Sequence, residues 1–284
     1  MSSLRSRGNV LAWRGLTAVL LVAGACATTG APVEPPAPLT AVPPPLLGSI
    51  HTAWGPSSCQ GTLLDRSYFV TCHDPSWRIP RWVAYHLKAS DLPGTVTRKD
   101  RFRSDTALPV TERAELADYR GSNMTRGHLA PADDFRRSRE AEDATFLLSN
   151  MAPQIQALNG GRWRVLESEV QKLASAHGSI WVITGPLFLD SALHPIAAAE
   201  FIGNGRVAVP THFFKVILCE HSDSQHEMVA FLVPHRAGLP GPTLKYAIPV
   251  DQLETLLGAD LFAVLPDDEE RTLEAAVPAA WPIR

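Results

Sequence analysis

From residue 81 onward, short apolar runs alternate with amphipathic stretches. Each run is rich in Val, Ile, Phe and Trp and is bounded by Gly, Pro or polar residues, which is the pattern of a β-strand. The strands predicted in this way cover residues 81–87, 179–184, 212–218 and 227–233. The runs show no internal repeat. The chain has 284 residues and 45% hydrophobic content, so it can bury the core of one fairly large domain.

Two stretches carry a helical period instead. In residues 161–176 apolar side chains recur at three- and four-residue spacing, and residues 250–257 are followed by Gly258, a common residue at the end of a helix. Strands and helices together indicate a mixed α and β fold. No Gly-x-Gly-x-x-Gly turn or P-loop follows any of the strands, which argues against nucleotide cofactors and ATP-driven chemistry.

The N-terminal region has the pattern of an export signal and a tether. Residues 1–25 combine a basic start with an apolar run that is too short to span a bilayer. Cleavage after Ala25 would release a free protein, whereas lipoprotein processing would make Cys26 the acylated first residue, and both alternatives stay open. Residues 26–47 are rich in proline and predict an extended linker. We therefore expect residues 48–284 to form an exported domain, in a cell-envelope lipoprotein or in a periplasmic or secreted protein.

The four cysteines indicate a disulfide more than a metal site. Export permits disulfides, and Cys59 and Cys72 flank the strand-like run 62–70, so they are placed to pair across a hairpin. Cys219 ends an apolar strand and is expected to be a buried free thiol. Whether two cysteines pair depends on the distance and direction between their side chains, and the sequence does not show this geometry. Zinc is poorly supported, because no Cys-x-x-Cys pair and no His-Glu-x-x-His helix occurs.

The net charge of −3 limits how the chain can bind a polyanion. A protein that coats nucleic acid by bulk electrostatics would be basic, so a phosphate substrate would need a local cluster of positive charge. Most members of such a cluster are expected to be solvated surface residues. The basic residues of segment 98–139 that supply it are Arg98, Lys99, Arg101, Arg103, Arg113, Arg120, Arg126, Arg136, Arg137 and Arg139.

Asn159 and Glu167 lie near the start of the predicted helix 161–176. Helical side chains lean toward the N-terminus, so Glu167 can point toward the space in front of Asn159 and form a polar pocket with it. Each residue alone has a simpler interpretation. Asn159 suits a helix N-cap, and Glu167 suits a solvated residue paired with Arg164 or Lys172.

Four ordered blocks carry a family resemblance. They are MTRGHLAP at residues 124–131, FLLSNMAPQ at 146–154, LNGGRW at 158–163 and LE at 166–167. In order and spacing they resemble the DNA/RNA non-specific endonucleases of the ββα-metal type, the endonuclease G-like nucleases. The resemblance implies an α+β fold of the ββα-metal (His-Me finger) type, in which helices flank a central antiparallel sheet.

The resemblance also implies the roles of the polar residues in these blocks. His128 resembles the general base that takes a proton from the attacking water, a task that suits a largely neutral imidazole. Asn159 resembles the only direct protein ligand of one Mg²⁺ ion, for which Mn²⁺ is the alternative. Glu167 resembles the group that orients waters on the metal. Asn150 resembles a polar support of the site.

Phosphate recognition is assigned to arginines on the same basis. Arg126 resembles the guanidinium that contacts phosphate or the developing charge, because it stays protonated and offers a fork of donors. Gly127 is expected to let substrate approach closely between Arg126 and the histidine that follows. A second substrate-binding arginine matches Arg101 or Arg103, depending on the register of that segment.

One position departs from the family motif Asp-Arg-Gly-His, because Thr125 stands in place of the aspartate. The departure leaves open how the loop is braced. Contacts to phosphate and sugar carry little sequence information, so we expect DNA and RNA substrates without sequence specificity. Two other functions stay open, a weak or inactive envelope lipoprotein that binds nucleic acid and a phosphodiesterase for small molecules. Some relatives dimerise, and nothing in the sequence decides whether this chain forms a homodimer.

Overall fold

The computed structural model describes residues 48–221 and 225–281. The predicted leader at residues 1–25, the linker at 26–47 and Cys26 lie outside the described residues, so these remain predictions. None of the helices in the described part has the length and apolar character that crossing a membrane would require.

A seven-stranded antiparallel sheet lies at the centre of the domain. The strands, in chain order, are β1 (Thr62–Asp65), β2 (Val70–Asp74), β3 (Ile79–Lys88), β4 (Met124–His128), β5 (Met151–Ile155), β6 (Ser179–Leu187), β7 (Phe201–Ile202), β8 (Val207–Ala208), β9 (His212–Glu220), β10 (His226–Pro234) and β11 (Ala247–Ile248). The order across the large sheet is β1-β2-β3-β6-β9-β10-β11, while β4 pairs with β5 and β7 pairs with β8 in separate two-stranded ribbons.

The four strands predicted from apolar runs are confirmed as β3, β6, β9 and β10, each slightly longer than predicted. They are apolar along their length because both faces of the sheet are covered. In β6, Ile180 and Val182 contribute to one hydrophobic core, while Trp181 and Ile183 contribute to a second core on the opposite face. Alternate side chains of a strand point to opposite faces, so a strand between two cores shows a continuous apolar run.

One face of the sheet carries the β4–β5 ribbon and the helix α3 (Arg164–His177). The apolar positions of α3, among them Leu166 and Val170, share their core with residues of the ribbon such as Met151. The helix predicted over residues 161–176 is confirmed from Arg164 onward. Residues 158–163 instead form a π-helical turn that is broken at Gly161. The short helices α1 (Leu116–Tyr119) and α2 (Arg139–Thr145) complete this layer.

The opposite face carries α4 (Val250–Leu257) and α5 (Asp267–Glu274). The prediction of α4 is confirmed with its bounds, and Gly258 follows it with φ of 62° in the left-handed region that favours glycine. Leu253 of α4 is buried in the second core. Helix α5 was not predicted, because its sequence DDEERTLE is strongly polar.

The run 62–70 is not one strand, as its apolar content suggested, but a hairpin formed by β1 and β2. Cys59 and Cys72 pair across it in a disulfide with Cα atoms 5.6 Å apart, which confirms the predicted pairing. Cys219 is a buried free cysteine, as predicted.

We predict that replacing Cys59 and Cys72 together with alanine lowers the free energy of unfolding by about 3 kcal/mol, because a closed loop of this length restricts the unfolded chain by about that amount. Urea unfolding followed by fluorescence measures the change. A reductant should destabilise the parent protein to a similar extent and leave the double variant unaffected. Equal unfolding midpoints for parent and variant would show that the bridge does not stabilise the hairpin.

Candidate active site

A cavity of about 670 Å³ lies beside β4 and the start of α3. Its lining includes His128, Arg126, Asn159 and Glu167, so the fold brings together the residues to which the sequence assigned a base, a phosphate contact and metal binding. The other lining residues are Arg98, Phe102, Leu116, Tyr119, Arg120, Met124, Thr125, Pro131, Ala132, Asp133, Gln156, Gly160 and Arg164.

Strand geometry explains the spacing of Arg126 and His128. Successive side chains of a strand point to opposite faces, so residues two apart share a face, and β4 pairs with β5 along its whole length. A Cβ added to Gly127 would stand 2.3 Å from the side chain of Gln154. A side chain at this position would therefore require the buried side chain of Gln154 to move. The expectation that substrate approaches closely at Gly127 stays a prediction.

His128 is buried, with 8% of its surface exposed. Its ring packs against Phe102 and Phe146, with ring centroids 5.6 and 5.1 Å away. Its Nε2 is enclosed and has no hydrogen-bond partner among the described residues. Burial and the positive charges of Arg98 and Arg126 lower the pKa of His128 to about 3. The imidazole is therefore neutral at neutral pH, and a neutral imidazole has one ring nitrogen that can accept a proton.

Asn150 is fully buried and does not line the cavity. Its Oδ1 accepts a hydrogen bond from the backbone N–H of Ala130, and its Nδ2 donates to the carbonyls of Ala130 and Thr145, each at 2.9 Å. Its own carbonyl accepts from the N–H of Leu129 at 3.0 Å. These bonds hold the two residues that follow His128 in the chain, which is how a buried amide can support the site without touching it.

Thr125 orients the side chain of Asn159. The Thr125 hydroxyl donates to the carbonyl of Gln154 at 2.8 Å, and Asn159 Nδ2 donates to Thr125 Oγ1 at 2.9 Å. Because a carbonyl only accepts, the hydroxyl gives its single proton to Gln154 and accepts from the amide nitrogen. The Oδ1 of Asn159 is therefore left for the cavity. The alternative that Asn159 caps the helix is wrong, since α3 begins at Arg164 without a side-chain cap.

Glu167 lies half-buried in the first turn of α3 and faces the cavity. Burial raises the pKa of its carboxyl, Lys215 opposes that shift, and the neighbouring Asp134 adds to it. The strongest charge effects on Glu167 thus come from buried groups, and not from Arg164 or Lys172 as the alternative interpretation proposed.

Lys215 is a fully buried positive charge in β9, beneath the site. Its Nζ lies 4.9 Å from the ring centroid of Trp163 and 6.0 Å from that of Tyr85, and it has no hydrogen-bond partner among the described residues. Burial lowers the pKa of Lys215, while Glu167 and Asp134 raise it. Since opposite charges favour each other's ionised forms, Lys215 favours the carboxylate form of Glu167.

The arginines of the cavity differ from those expected. Arg126 lies with its guanidinium carbon 4.1 Å from the centroid of the Phe102 ring, a stacking contact that holds the side chain in place. Arg101 pairs with the Asp143 carboxylate at 2.8 Å, and Arg103 donates to the Asp143 carbonyl at 2.8 Å. Neither of these two lines the cavity. The lining arginines are Arg98, Arg120, Arg126 and Arg164.

Sequence reasoning missed two residues that set the electrostatics of the site. Lys215 interrupts the apolar run of the strand HFFKVILCE. A charged residue within a buried strand needs a partner, so this position was a signal for a polar group in the interior. Asp134, which accepts a hydrogen bond from the Tyr85 hydroxyl at 3.1 Å, lies in the short 3-10 helix Ala132–Phe135, whose sequence carries no such signal.

Comparisons with known proteins identify the family and the fold. The family model of the DNA/RNA non-specific endonucleases matches residues 53–268. Mitochondrial endonuclease G of Bos taurus is 35% identical over 259 residues, which cover 89% of this chain and 85% of the relative. A nuclease of Syncephalastrum racemosum is 37% identical over 214 residues, which cover 70% of this chain and 67% of that protein.

A solved structure of the EndoG/EndoGI complex, which addresses the mechanism of EndoG inhibition, is also similar. The TM-score is 0.68 at 31% identity, with 74% of this chain and 89% of that chain covered. The predicted α+β fold of the ββα-metal type, with its central antiparallel sheet, is confirmed. The chain therefore belongs to the DNA/RNA non-specific endonuclease family, a family of nucleases.

Proposed function

We propose that this chain hydrolyses phosphodiester bonds of DNA and RNA with a divalent metal ion and with His128 as general base. One observation carries the proposal. A neutral imidazole, a stacked guanidinium and an amide oxygen that accepts from no donor among the described residues all line one cavity. Hydrolysis of a phosphodiester needs an activated water, neutralisation of charge on the phosphoryl oxygens and stabilisation of the leaving oxygen.

The oxygen groups of the cavity fit a small divalent ion. Asn159 Oδ1 is unengaged because the amide nitrogen is bound to Thr125, and Glu167 offers a carboxylate in the same cavity. Mg²⁺ keeps several waters and takes few protein oxygens, so we propose Asn159 as its ligand and Glu167 as the group that orients its waters, with Mn²⁺ as the alternative ion. When bound, the ion would supply Lewis-acid stabilisation of the phosphate and of the leaving oxygen.

His128 takes the proton of the attacking water. The two arginines that depress its pKa, Arg98 and Arg126, are also the groups that a phosphate would contact. A bound phosphate offsets their charge and raises the pKa of His128. The substrate therefore strengthens the base that activates the attacking water. Arg126 then stabilises the charge that grows on the phosphoryl oxygens. Asn150 keeps the backbone beyond His128 in place throughout.

The same groups determine which substrates are accepted. Contacts between guanidinium groups and phosphate carry no base-sequence information, so cleavage is expected on DNA and RNA without sequence specificity. We also propose that the protein is exported. The leader-like residues 1–25 support this, as does the Cys59–Cys72 disulfide, because such bonds persist mainly in oxidising compartments.

We predict that His128→Ala lowers plasmid cleavage in Mg²⁺ by about two to four orders of magnitude, the usual contribution of a general base. Asn159→Ala should give a similar loss, and EDTA should abolish cleavage by the parent protein. His194→Ala is the matched control, since that histidine is 76% exposed and should not matter.

Agarose-gel cleavage assays on plasmid and on RNA provide the measurement. Undiminished activity of His128→Ala would refute the assignment of the base. Hydrolysis of bis-p-nitrophenyl phosphate without cleavage of long DNA would favour the small-molecule phosphodiesterase, and absence of any turnover would favour the nucleic-acid-binding lipoprotein.

We predict that Thr125→Val weakens binding of Mn²⁺ by about tenfold, because valine keeps the shape of threonine but cannot orient the Asn159 amide. Thr125→Ser retains the hydroxyl and should bind the ion like the parent. Calorimetric titration of Mn²⁺ into His128→Ala protein, with and without each change, measures the affinity without turnover. Equal affinities for the valine and serine variants would contradict the bracing role of Thr125.

A further inference from the structure

Three carboxylates meet on the face of the sheet opposite α3. Asp251 and Glu254 lie one turn apart on α4, and Glu274 is the last residue of α5. One ligand oxygen from each of the three lies within 4.8 Å of the other two. These helices belong to the second core, so the cluster lies away from the cavity that holds His128.

Glu274 is buried in this cluster and has no partner for its charge. It is 5% exposed, and its Oε1 is enclosed without a hydrogen-bond partner among the described residues. It also ends α5, and the carbonyls at the C-terminal end of a helix carry partial negative charge that disfavours an anion. A buried carboxylate in this position requires either a proton or a cation.

The charges nearest to the cluster are negative. Burial raises the pKa of Glu274, and the carboxylates of Glu254, Glu270, Asp251 and Asp260 raise it further. Burial also raises the pKa of Glu254, with Asp260 and Glu270 adding to the shift.

Two basic residues, one on α5 and one on β10, are engaged with other carboxylates. Arg271 of α5 pairs with Asp268 at 3.0 Å. His226 pairs with Glu269 at 2.7 Å. Neither is therefore available to neutralise the three clustered carboxylates.

We propose that Asp251, Glu254 and Glu274 bind a Ca²⁺ ion that ties α4 to α5. Ca²⁺ binds carboxylate oxygens at about 2.3–2.6 Å, so two ligands on opposite sides of the ion lie about 4.6–5.2 Å apart, and the oxygens of the cluster meet this limit without backbone movement. Around Mg²⁺, two oxygens on opposite sides of the ion would lie only about 4.2 Å apart, and the ion demands a regular octahedron. Mg²⁺ therefore suits the cluster less than Ca²⁺ does. The exposed Asp251 leaves room for waters on the ion.

The architecture around the cluster is consistent with a structural ion. The Oε1 of Glu254 accepts a hydrogen bond from the backbone N–H of Leu261 at 2.7 Å, which orients the carboxylate and links it to the α4–α5 connection. An ion at this point would join two helices of eight residues each that otherwise contact the sheet through few apolar side chains. This inference goes beyond the proposed function and does not depend on it.

Thermal unfolding of the full chain tests the proposal. The chain carries Asn159→Ala, so that the active site does not contribute, and is compared with and without about 10 mM CaCl₂ at constant ionic strength. We expect Ca²⁺ to raise Tm by about 5 °C, with affinity in the range of about 0.1–1 mM. Asp251→Asn and Glu274→Gln should each lose most of this rise, while the exposed Asp268→Asn on the same helix should retain it.

Glu274→Gln relieves the repulsion among the carboxylates, so its Tm without Ca²⁺ should not fall below that of the parent. Asp251 is exposed, so Asp251→Asn decides the question even if the buried variant does not fold. Absence of a Ca²⁺-dependent rise, or an equal rise in Asp251→Asn, would overturn the proposal. Plasmid cleavage in Mg²⁺ by Glu274→Gln in the otherwise unchanged chain should equal that of the parent, which separates this test from that of the nuclease.

Discussion

The antiparallel pairing of β4 with β5 is the constraint on which the site depends. It holds Arg126 and His128 on one face of a strand, with Gly127 between them in close contact with the side chain of Gln154. The same pairing presents the Gln154 carbonyl to Thr125, and Thr125 in turn fixes the amide of Asn159. The residues that we propose as base, phosphate contact and metal ligand are thus positioned by one ribbon, which packs against the sheet through its buried residues.

The electrostatics of the site follow from burial. Two phenylalanine rings enclose His128 and keep it neutral, while the guanidinium groups beside it carry the positive charge. Beneath α3, the fully buried Lys215 opposes the tendency of Glu167 to take up a proton. In a poorly solvated site such charges interact more strongly than in water, so the placement of Lys215 matters although it does not line the cavity. Burial still raises the pKa of Glu167 overall, so Lys215 reduces this shift without cancelling it.

Periodicity was sufficient to predict the parts of the fold that bury apolar surface on a regular spacing. The strands β3, β6, β9 and β10 and the helix α4 belong to this class. Helix α5 was missed because its stability comes from contacts to the sheet that its polar sequence does not reveal. The ribbon β4–β5 was missed as strands because its sequence is governed by function and by close packing, and not by alternation.

The composition of the site was predictable from ordered motifs, but its charge balance was not. His128, Arg126, Asn159 and Glu167 lie in blocks whose order and spacing are visible along the chain. Lys215 reaches the site only through the crossing of β9 beneath α3, a long-range contact that no local pattern specifies. Arg101 and Arg103 were proposed from the family resemblance, yet Arg101 pairs with the Asp143 carboxylate and Arg103 donates to the Asp143 carbonyl.

The central claim is that His128 is a neutral base until phosphate reaches the arginines beside it. Proton NMR of the ring Hε1 resonance, assigned by comparison with His128→Ala, tests this claim most directly. The account predicts that the free protein shows no titration of His128 between about pH 5 and pH 8, because burial and two guanidinium groups depress its pKa. A titration with a midpoint near the ordinary value of about 6.5 would contradict it.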